Sequence, residues 1–284
     1  MTGAVARVPL ALPGLSDPGR CLVMGVLNVT PDSFSDGGAY LDARAAIEHG
    51  WRLVADGADL VDVGGESTRP GAERVDADEE LRRVLPVVRT LARDGVVVSV
   101  DTTRSAVAEA ALDAGARLVN DVSGGSADDA MAGVVAGTDA GYVLMHSRGP
   151  SADMAARAVY SDVVADVVTE LGERLTALTA AGVAAERVVV DPGLGFAKNA
   201  EHSVELLAHL DAVQALGRPV LVGASRKSFL GALLDGRDVA DRDDATQAVT
   251  AAAALAGAWA VRVHAVRPAA DAVRVVAALI GARR

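Results

Sequence analysis

The feature that most constrains the fold of this chain is the alternation of eight short apolar runs with longer segments of helical periodicity. Nearly continuous apolar character predicts strands that are buried on both faces, as in a parallel sheet covered by helices. Eight strand–helix pairs favour a closed α/β barrel of the (β/α)8, or TIM barrel, type over an open doubly wound sheet, and no GxGxxG follows the first run. We therefore predict one barrel domain at residues 20–284, after a flexible leader at residues 1–19.

The predicted elements divide the chain evenly. The strands are expected at Cys21–Leu27, Leu60–Val63, Val96–Val100, Arg117–Asn120, Tyr142–Met145, Arg187–Val190, Val220–Val222 and Ala260–Val263. The helices are expected at residues 41–56, 76–93, 104–114, 127–136, 160–181, 202–216, 243–257 and 268–281.

The composition excludes several classes of function. A net charge of -11 repels nucleic acid, so any anionic substrate needs a local basic cluster. Cys21 is the only cysteine, which excludes an intrachain disulfide and a cysteine metal cage. No run approaches the about 18 apolar residues of a membrane span, and we expect a cytoplasmic protein with neither nucleic acid nor membrane as partner.

A polar residue ends each predicted strand, where the functional side chains of such barrels lie. Any single one could be a helix N-cap or a loop residue, but a polar end on every strand indicates a ligand at this mouth. The strand ends are Asn28, Asp62 with Glu66, Asp101, Asn120 with Asp121, His146, Asp191, Ser225, and Arg262 with His264.

Two acids and one amide among these strand ends suit a heterocycle with adjacent N–H donors and a carbonyl, as in guanine-like pterins. Asp101, Asn120 and Asp191 could recognise that edge, because a buried carboxylate paired with a ring amide is costly to leave unpaired. Spacing alone leaves open a second interpretation, in which two of them form an acid–base pair.

Basic residues concentrate after the seventh strand, at Arg226 and Lys227, and in the eighth strand, at Arg262 with His264. Barrels frequently build phosphate sites there, and strand residues two apart point to one face. Arginine and lysine together suit a diphosphate. The alternative is a structural role in which Arg262 pairs with a barrel carboxylate.

Several motifs resemble those of dihydropteroate synthases, in the same order, from about Leu22 to Val275. They are MGVLNVTPDSFSDGG (24–38), DVGGESTRPGA (62–72), SVDTTR (99–104), LVNDVSGG (118–125), LMHSRG (144–149), DPGLGFAKN (191–199), VGASRKSFLG (222–231) and VRVH (261–264). The resemblance implies a transferase that joins a dihydropterin methyl diphosphate to 4-aminobenzoate in folate synthesis.

The resemblance also implies residue roles, with Mg²⁺ as cofactor and a homodimer. Residues expected to hold or line the pterin site are Asp101, Asn120, Val122, Met145, Asp191, Phe196, Gly223 and Lys227. Residues expected at the diphosphate are Asn28, which would also ligate Mg²⁺, Thr68, Arg262 and His264. Residues expected around 4-aminobenzoate are Phe34, Asp36, Thr68, Arg69, Pro70 and Ser225. The implied catalytic set is Asn28, Asp36, Lys227, Arg262 and His264.

The last motif departs from the family pattern at Ala265, where many members have an aspartate. Two other functions share much of the pattern. A pterin-dependent methyltransferase domain shares the barrel and the acidic ring-recognition residues but does not need the anion site. A noncatalytic pterin-binding paralogue should have lost loop or anion residues, whereas this chain keeps them.

Overall fold

The structure, a computed structural model, describes residues 7–10, 12–30, 38–66, 74–149, 154 and 156–283, and only the backbone at 38–42. Eight parallel strands form one sheet in the order β6-β5-β4-β3-β2-β1-β8-β7. A parallel bridge between Val190 and Val220 joins β6 to β7 and closes the ring. The predicted (β/α)8 barrel is confirmed.

Every predicted strand is present, with boundaries that differ by a few residues. The strands are β1 Leu22–Asn28, β2 Leu60–Gly64, β3 Val98–Asp101, β4 Leu118–Asp121, β5 Gly141–Met145, β6 Val188–Asp191, β7 Leu221–Val222 and β8 Ala260–Val263.

Ten α-helices lie in the described part of the chain, two more than predicted. They are α1 Gly38–Ala55, α2 Ala77–Arg93, α3 Ser105–Asp113, α4 Met131–Ala136, α5 Val163–Ala180, α6 Ala200–Ala208, α7 Leu210–Gln214, α8 Ser228–Leu233, α9 Asp243–Leu255 and α10 Val266–Gly281. The predicted helix at 202–216 is split at His209 into α6 and α7, and α8 was not predicted. The helix predicted from 160 begins at Val163 because the Asp162 carboxylate caps it, accepting from Ala165 N at 2.9 Å. None of the described helices is long and apolar enough to cross a membrane.

Apolar side chains fill the lower half of the barrel interior and form its floor. Leu60 and Leu118 are examples, and both are fully buried. This floor is the cluster Leu10, Leu12, Leu22, Met24, Leu60, Val97, Leu118, Val143, Val189, Leu221, Trp259 and Ala260. The larger core lies outside the ring, where the other faces of the strands meet the surrounding helices.

Leu10 and Leu12 belong to this floor although they fall in the predicted flexible leader. Both are buried against the interior ends of the strands. Burial of these two leucines is favourable because it removes their apolar side chains from water. Pro9 and Pro13 rule out a helix here, but they do not prevent an extended segment from docking.

Candidate active site at the carboxyl ends of the strands

A cavity of about 630 Å³ opens above the floor, at the carboxyl ends of the strands. This is the end at which barrels of this kind carry their functional residues, and the volume suits a small molecule. The cavity is lined by Val26, Asn28, Thr30, Asn120, Val122, Met145, Met154, Asp191, Gly195, Phe196, Gly223, Ser225, Arg226, Lys227, Ser228, Val239, Arg242, Arg262 and His264.

Most of the site residues predicted from sequence lie together in this wall. They are Asn28, Asn120, Val122, Met145, Asp191, Phe196, Gly223, Ser225, Lys227, Arg262 and His264. Asp101 is buried and lies behind the wall, where it contacts Arg262. Five further predicted residues, Phe34, Asp36, Thr68, Arg69 and Pro70, lie outside the described residues.

Asp191 and Lys227 place two opposite charges in the wall. The Asp191 Oδ1 accepts from Gly193 N at 2.7 Å, and the Lys227 ammonium lies 4.8 Å from the centre of the Phe196 ring. Burial raises the pKa of Asp191, while Lys227 opposes that rise. Burial lowers the pKa of Lys227 to about 8, against the effect of Asp191. The two groups therefore offer a buried acceptor and a buried donor to a ligand in the cavity.

Gly223 separates these two charged groups at the end of β7. A Cβ built there would lie 3.6 Å from the Asp191 Oδ2 and 3.8 Å from the Lys227 Nζ. Glycine leaves this space free, so a flat ligand could approach both polar atoms at once.

Arg262 makes two ion pairs with buried carboxylates across the top of the barrel. Its Nε donates to the Asp62 Oδ2 at 2.6 Å, and its Nη2 donates to the Asp101 Oδ2 at 2.7 Å. The alternative proposed from the sequence, that Arg262 pairs with a barrel carboxylate, is therefore what the structure shows. A guanidinium has five donors, however, so the Nη1 side is still available to an anion in the cavity.

Asp62 is the buried polar residue that sequence reasoning left out of the site. It is 0% exposed on β2, and besides Arg262 it accepts from the Asn120 Nδ2 at 2.9 Å. The sequence signal is an aspartate between valines inside an apolar strand, two residues after Leu60. Its partner Arg262 is 200 residues away in sequence, so the pairing was not visible from local patterns.

Ser225 and His264 are hydrogen-bonded to one another at the rim of the cavity. The Ser225 Oγ lies 2.9 Å from the His264 Nδ1, and the His264 backbone N donates to the same Oγ at 3.2 Å. Sequence reasoning assigned these residues to different substrates. Their contact means that the predicted 4-aminobenzoate and diphosphate subsites share an edge.

A second buried polar cluster lies beside the loop that follows β6. The Lys198 Nζ donates to the His146 Nδ1 at 2.8 Å and to the Phe196 carbonyl at 3.0 Å, and the His146 Nε2 lies 3.0 Å from Glu170. Burial lowers the pKa of Lys198 to about 7, although Asp191 opposes this. Burial, reinforced by Lys198, lowers the pKa of His146 to about 3. The cluster holds the loop carrying Phe196 against the barrel.

Two other residues at or just after strand ends, Asp121 and Ala265, do not line the cavity. The Asp121 carboxylate accepts from the Tyr142 hydroxyl at 2.8 Å and from Ser123 N at 2.8 Å, so it builds the turn after β4. Ala265 is the N-cap of α10 and supplies no side-chain hydrogen bond. An aspartate is a favoured N-cap residue, so alanine leaves this helix without a side-chain cap, and Ala265 does not line the cavity.

Comparisons with known proteins agree with this geometry. Residues 24–264 match the family model described as "Pterin binding enzyme". The chain is 54% identical over 266 residues to the dihydropteroate synthase of Mycobacterium leprae, covering 92% of this chain and 94% of that protein. The dihydropteroate synthase of Xanthomonas albilineans, solved with 4-aminobenzoic acid, superimposes with a TM-score of 0.89 at 43% identity, covering 96% and 98% of the two chains. That of Burkholderia cenocepacia, solved with 7,8-dihydropteroate, gives 0.88 at 40% identity, covering 99% of each.

The chain belongs to the family of pterin-binding enzymes. The match spans the whole barrel, because all eight strands fall within or at the edge of the matched residues. Within the family it stands with the dihydropteroate synthases.

Proposed function

We propose that the chain joins a dihydropterin methyl diphosphate to 4-aminobenzoate in the cavity at the carboxyl ends of the strands. The observation that carries this proposal is the union of two kinds of polar group in one cavity wall. Asn120, Asp191 and Lys227 suit the edge of a pterin ring, while Arg262 and His264 suit an anion. A protein that only bound a pterin would not need the second group.

For the ring, the proposal assigns recognition to Asn120, Asp191 and Lys227, with Asp101 supporting Arg262 from behind the wall. Buried polar groups of this kind reject a ring that leaves them unpaired, at a cost of about 1–3 kcal/mol each. The remaining contacts are with apolar surface and glycine. They are assigned to Val122, Met145, Phe196 and Gly223.

For the diphosphate, the proposal assigns binding to Asn28, Arg262 and His264, with Thr68 from the segment outside the described residues. Mg²⁺ prefers oxygen ligands and usually binds through few protein groups together with substrate phosphates. The side-chain carbonyl of Asn28, in the cavity wall, fits that preference. When bound there, Mg²⁺ would stabilise negative charge on the departing diphosphate.

The reaction forms one C–N bond and breaks one C–O bond. The amine of 4-aminobenzoate attacks the exocyclic methylene carbon of the dihydropterin, the diphosphate leaves with the bonding electrons, and the amine releases a proton. Arg262 and His264 favour the step by stabilising charge that grows on the leaving group. A neutral aryl amine is already nucleophilic, so the site needs no strong base and no covalent intermediate.

The decisive experiment measures diphosphate release by the purified protein. Release should require both substrates and Mg²⁺, and dihydropteroate should appear in equal amount. A protein that binds the dihydropterin but releases no diphosphate when 4-aminobenzoate and Mg²⁺ are present would be a noncatalytic pterin-binding paralogue, and this proposal would be wrong.

The proposal also predicts that the two substrates can be weakened separately. We assign 4-aminobenzoate to Phe34, Asp36, Arg69, Pro70 and Ser225, together with Thr68. Arg69→Ala should then raise the KM for 4-aminobenzoate, whereas His264→Ala should raise the KM for the dihydropterin diphosphate. Ser225→Ala should affect both, because its hydroxyl contacts His264. Equal effects of Arg69→Ala and His264→Ala on both KM values would argue against separate subsites.

We further propose, on the family resemblance, that the protein acts as a homodimer in the cytoplasm. Sedimentation equilibrium of the purified chain tests the first point, and a single species at the monomer mass of 28.8 kDa would contradict it.

A further inference from the structure

Asp62 lies directly behind the cavity wall and is held from two sides. It is 0% exposed on the interior face of β2, one step above Leu60 of the floor. Its Oδ2 accepts from the Asn120 Nδ2 at 2.9 Å and from the Arg262 Nε at 2.6 Å. Its Oδ1 is buried and has no hydrogen-bond partner among the described residues. A buried carboxylate oxygen without a hydrogen bond is energetically unfavourable, so its presence indicates that Asp62 has a functional role.

The contact between Asp62 and Asn120 fixes the direction of an amide. A carboxylate only accepts hydrogen bonds, so it can hold the NH2 end of the amide but not the carbonyl end. Asn120 lines the cavity, while Asp62 does not. The carbonyl oxygen of Asn120 is therefore the end that Asp62 leaves to the ligand.

The contact with Arg262 orients a second wall residue in the same way. With its Nε on Asp62 and its Nη2 on Asp101, the guanidinium is fixed in plane at two points. Asp62 thus lies between one residue assigned to the ring and one assigned to the diphosphate.

We propose that Asp62 is a positioning residue that sets the hydrogen-bonding polarity of the ring-recognition edge. By holding the Asn120 amide, it presents a carbonyl acceptor beside the Asp191 carboxylate, and the edge then selects a heterocycle that carries N–H donors there. Asp62 acts through Asn120 and does not touch the ligand. This inference rests on the proposed function, since it takes the ring to be a pterin.

An exchange of the two side chains tests the proposal. Asp62→Ala removes the acceptor that Asn120 and Arg262 share, so the Asn120 amide can turn either way, and Asn120→Asp places two carboxyl groups against each other. In the double variant Asp62→Asn/Asn120→Asp, the introduced amide must turn so that its NH2 donates to the introduced carboxylate while its carbonyl accepts from the Arg262 Nε. The other oxygen of the introduced carboxylate then again faces the cavity as an acceptor. The net charge of the pair is unchanged.

The probes are a dihydropterin without its diphosphate and the matching pteridine that carries a carbonyl in place of the ring amino group. Calorimetry should show each single variant binding the dihydropterin about tenfold more weakly, as expected for one lost hydrogen bond. In each single variant, the ratio of the affinity for the dihydropterin to the affinity for the carbonyl analogue should also be lower than in wild type. The double variant should recover most of both losses. A double variant that binds no better than Asn120→Asp, or an unchanged preference in Asp62→Ala, would overturn the proposal.

Two controls separate this outcome from others. Ser99→Ala removes a neighbouring buried hydroxyl, paired in register with Asp62 and without a hydrogen-bond partner in the described structure. It should leave the preference unchanged. If wild-type protein binds no dihydropterin at all, the proposed function fails and this inference fails with it, whereas binding and turnover without rescue refute only the role of Asp62.

A measurement on wild-type protein covers the case in which the variants do not fold. The side-chain amide hydrogens of Asn120, observed by nitrogen-15 NMR, should exchange slowly in the absence of ligand because Asp62 already accepts from one of them. Rapid and equal exchange of both hydrogens would show that the amide is not held.

Discussion

The floor and the mouth of the barrel are built from the same strands but have opposite chemistry. On β2 the inward residue is Leu60 at the floor and Asp62 one step higher, and on β4 it is Leu118 and then Asn120. Because alternate strand residues face the same side, two residues along a strand separate an apolar plug from a polar wall. Inward residues at the floor therefore stabilise the fold, and those two positions further along the same strands are placed to recognise a ligand.

The comparison also shows what each layer costs. The floor contributes by removing apolar surface from water. The mouth contains buried carboxylates at Asp62 and Asp101 that pair with the partly buried Arg262, at a desolvation cost that leucines would not incur. Substitutions at the two depths should therefore change different quantities, and the predictions below test that separation in order of decreasing effect.

The largest effect is expected from Arg262→Ala. Arg262 lies at the mouth but also stabilises the fold, so it is an exception to the separation between a stabilising floor and a ligand-binding mouth. Removing the guanidinium leaves Asp62 and Asp101 buried and unpaired, so the free energy of unfolding should fall by about 3–5 kcal/mol. Urea denaturation measures this. Arg267→Ala is the matched control, because Arg267 pairs with Asp56 at a 72% exposed side chain, where about 0–1 kcal/mol is at stake. Equal losses in both variants would contradict the prediction.

Next is Leu118→Ala in the floor. Loss of a fully buried leucine should lower the free energy of unfolding by about 3 kcal/mol, while the Kd for the dihydropterin stays within about twofold of wild type. Denaturation and calorimetry on one preparation test both parts. Val275→Ala, at a 59% exposed site on α10, should change stability by no more than about 0.5 kcal/mol. A large rise in Kd for Leu118→Ala would show that floor and mouth are coupled.

Asp191→Asn should act mainly on binding, with a smaller loss of stability because the buried Lys227 loses its opposing charge. The amide places a donor against ring N–H groups, and loss of a charged hydrogen bond of about 1.5–3 kcal/mol raises the Kd about ten- to a hundredfold. Calorimetry with the dihydropterin measures it. The control Asp211→Asn makes the same change on the exposed surface of α7 and should bind normally. Unchanged affinity in Asp191→Asn would remove Asp191 from the recognition edge.

The smallest effect, taken over a single pH unit, is a pH dependence of stability from Lys198. Its pKa is about 7 in the folded protein and 10.5 at the ordinary value, so between these limits the unfolded chain binds more protons. Stability should therefore rise with pH in this window and fall toward pH 7, by at most about 1.4 kcal/mol per unit. Lys227, with a pKa of about 8, acts in the same direction, so the relevant quantity is the difference between wild type and Lys198→Met. Parallel stability curves for the two proteins would refute this.

The sequence was most informative where a property is local. Apolar runs gave all eight strands, and the polar residues after them gave most of the cavity wall, because strand ends of a parallel barrel converge wherever they lie in the chain. Contacts between distant segments could not be predicted in this way. A carboxylate partner for Arg262 could be suggested from the sequence, but not that the partner is Asp62. The docking of Leu10 and Leu12 is a second such contact, since an apolar stretch interrupted by prolines has the same pattern whether or not it packs.

The closure between β6 and β7 has a consequence for hydrogen exchange and for the effect of ligand. Val190 N donates to the Pro219 carbonyl at 2.9 Å, and one bridge to Val220 follows, but Pro219 has no N–H with which to extend the ladder. The amide of Val190 should therefore exchange with solvent sooner than those in the longer ladder between β1 and β2, through local opening of this junction. A ring bound between Asp191 and Lys227, as proposed, spans the same junction. The bound substrate would thus link β6 to β7 where few backbone hydrogen bonds do so. Protection of the Val190 amide from hydrogen exchange should therefore increase when the substrate binds.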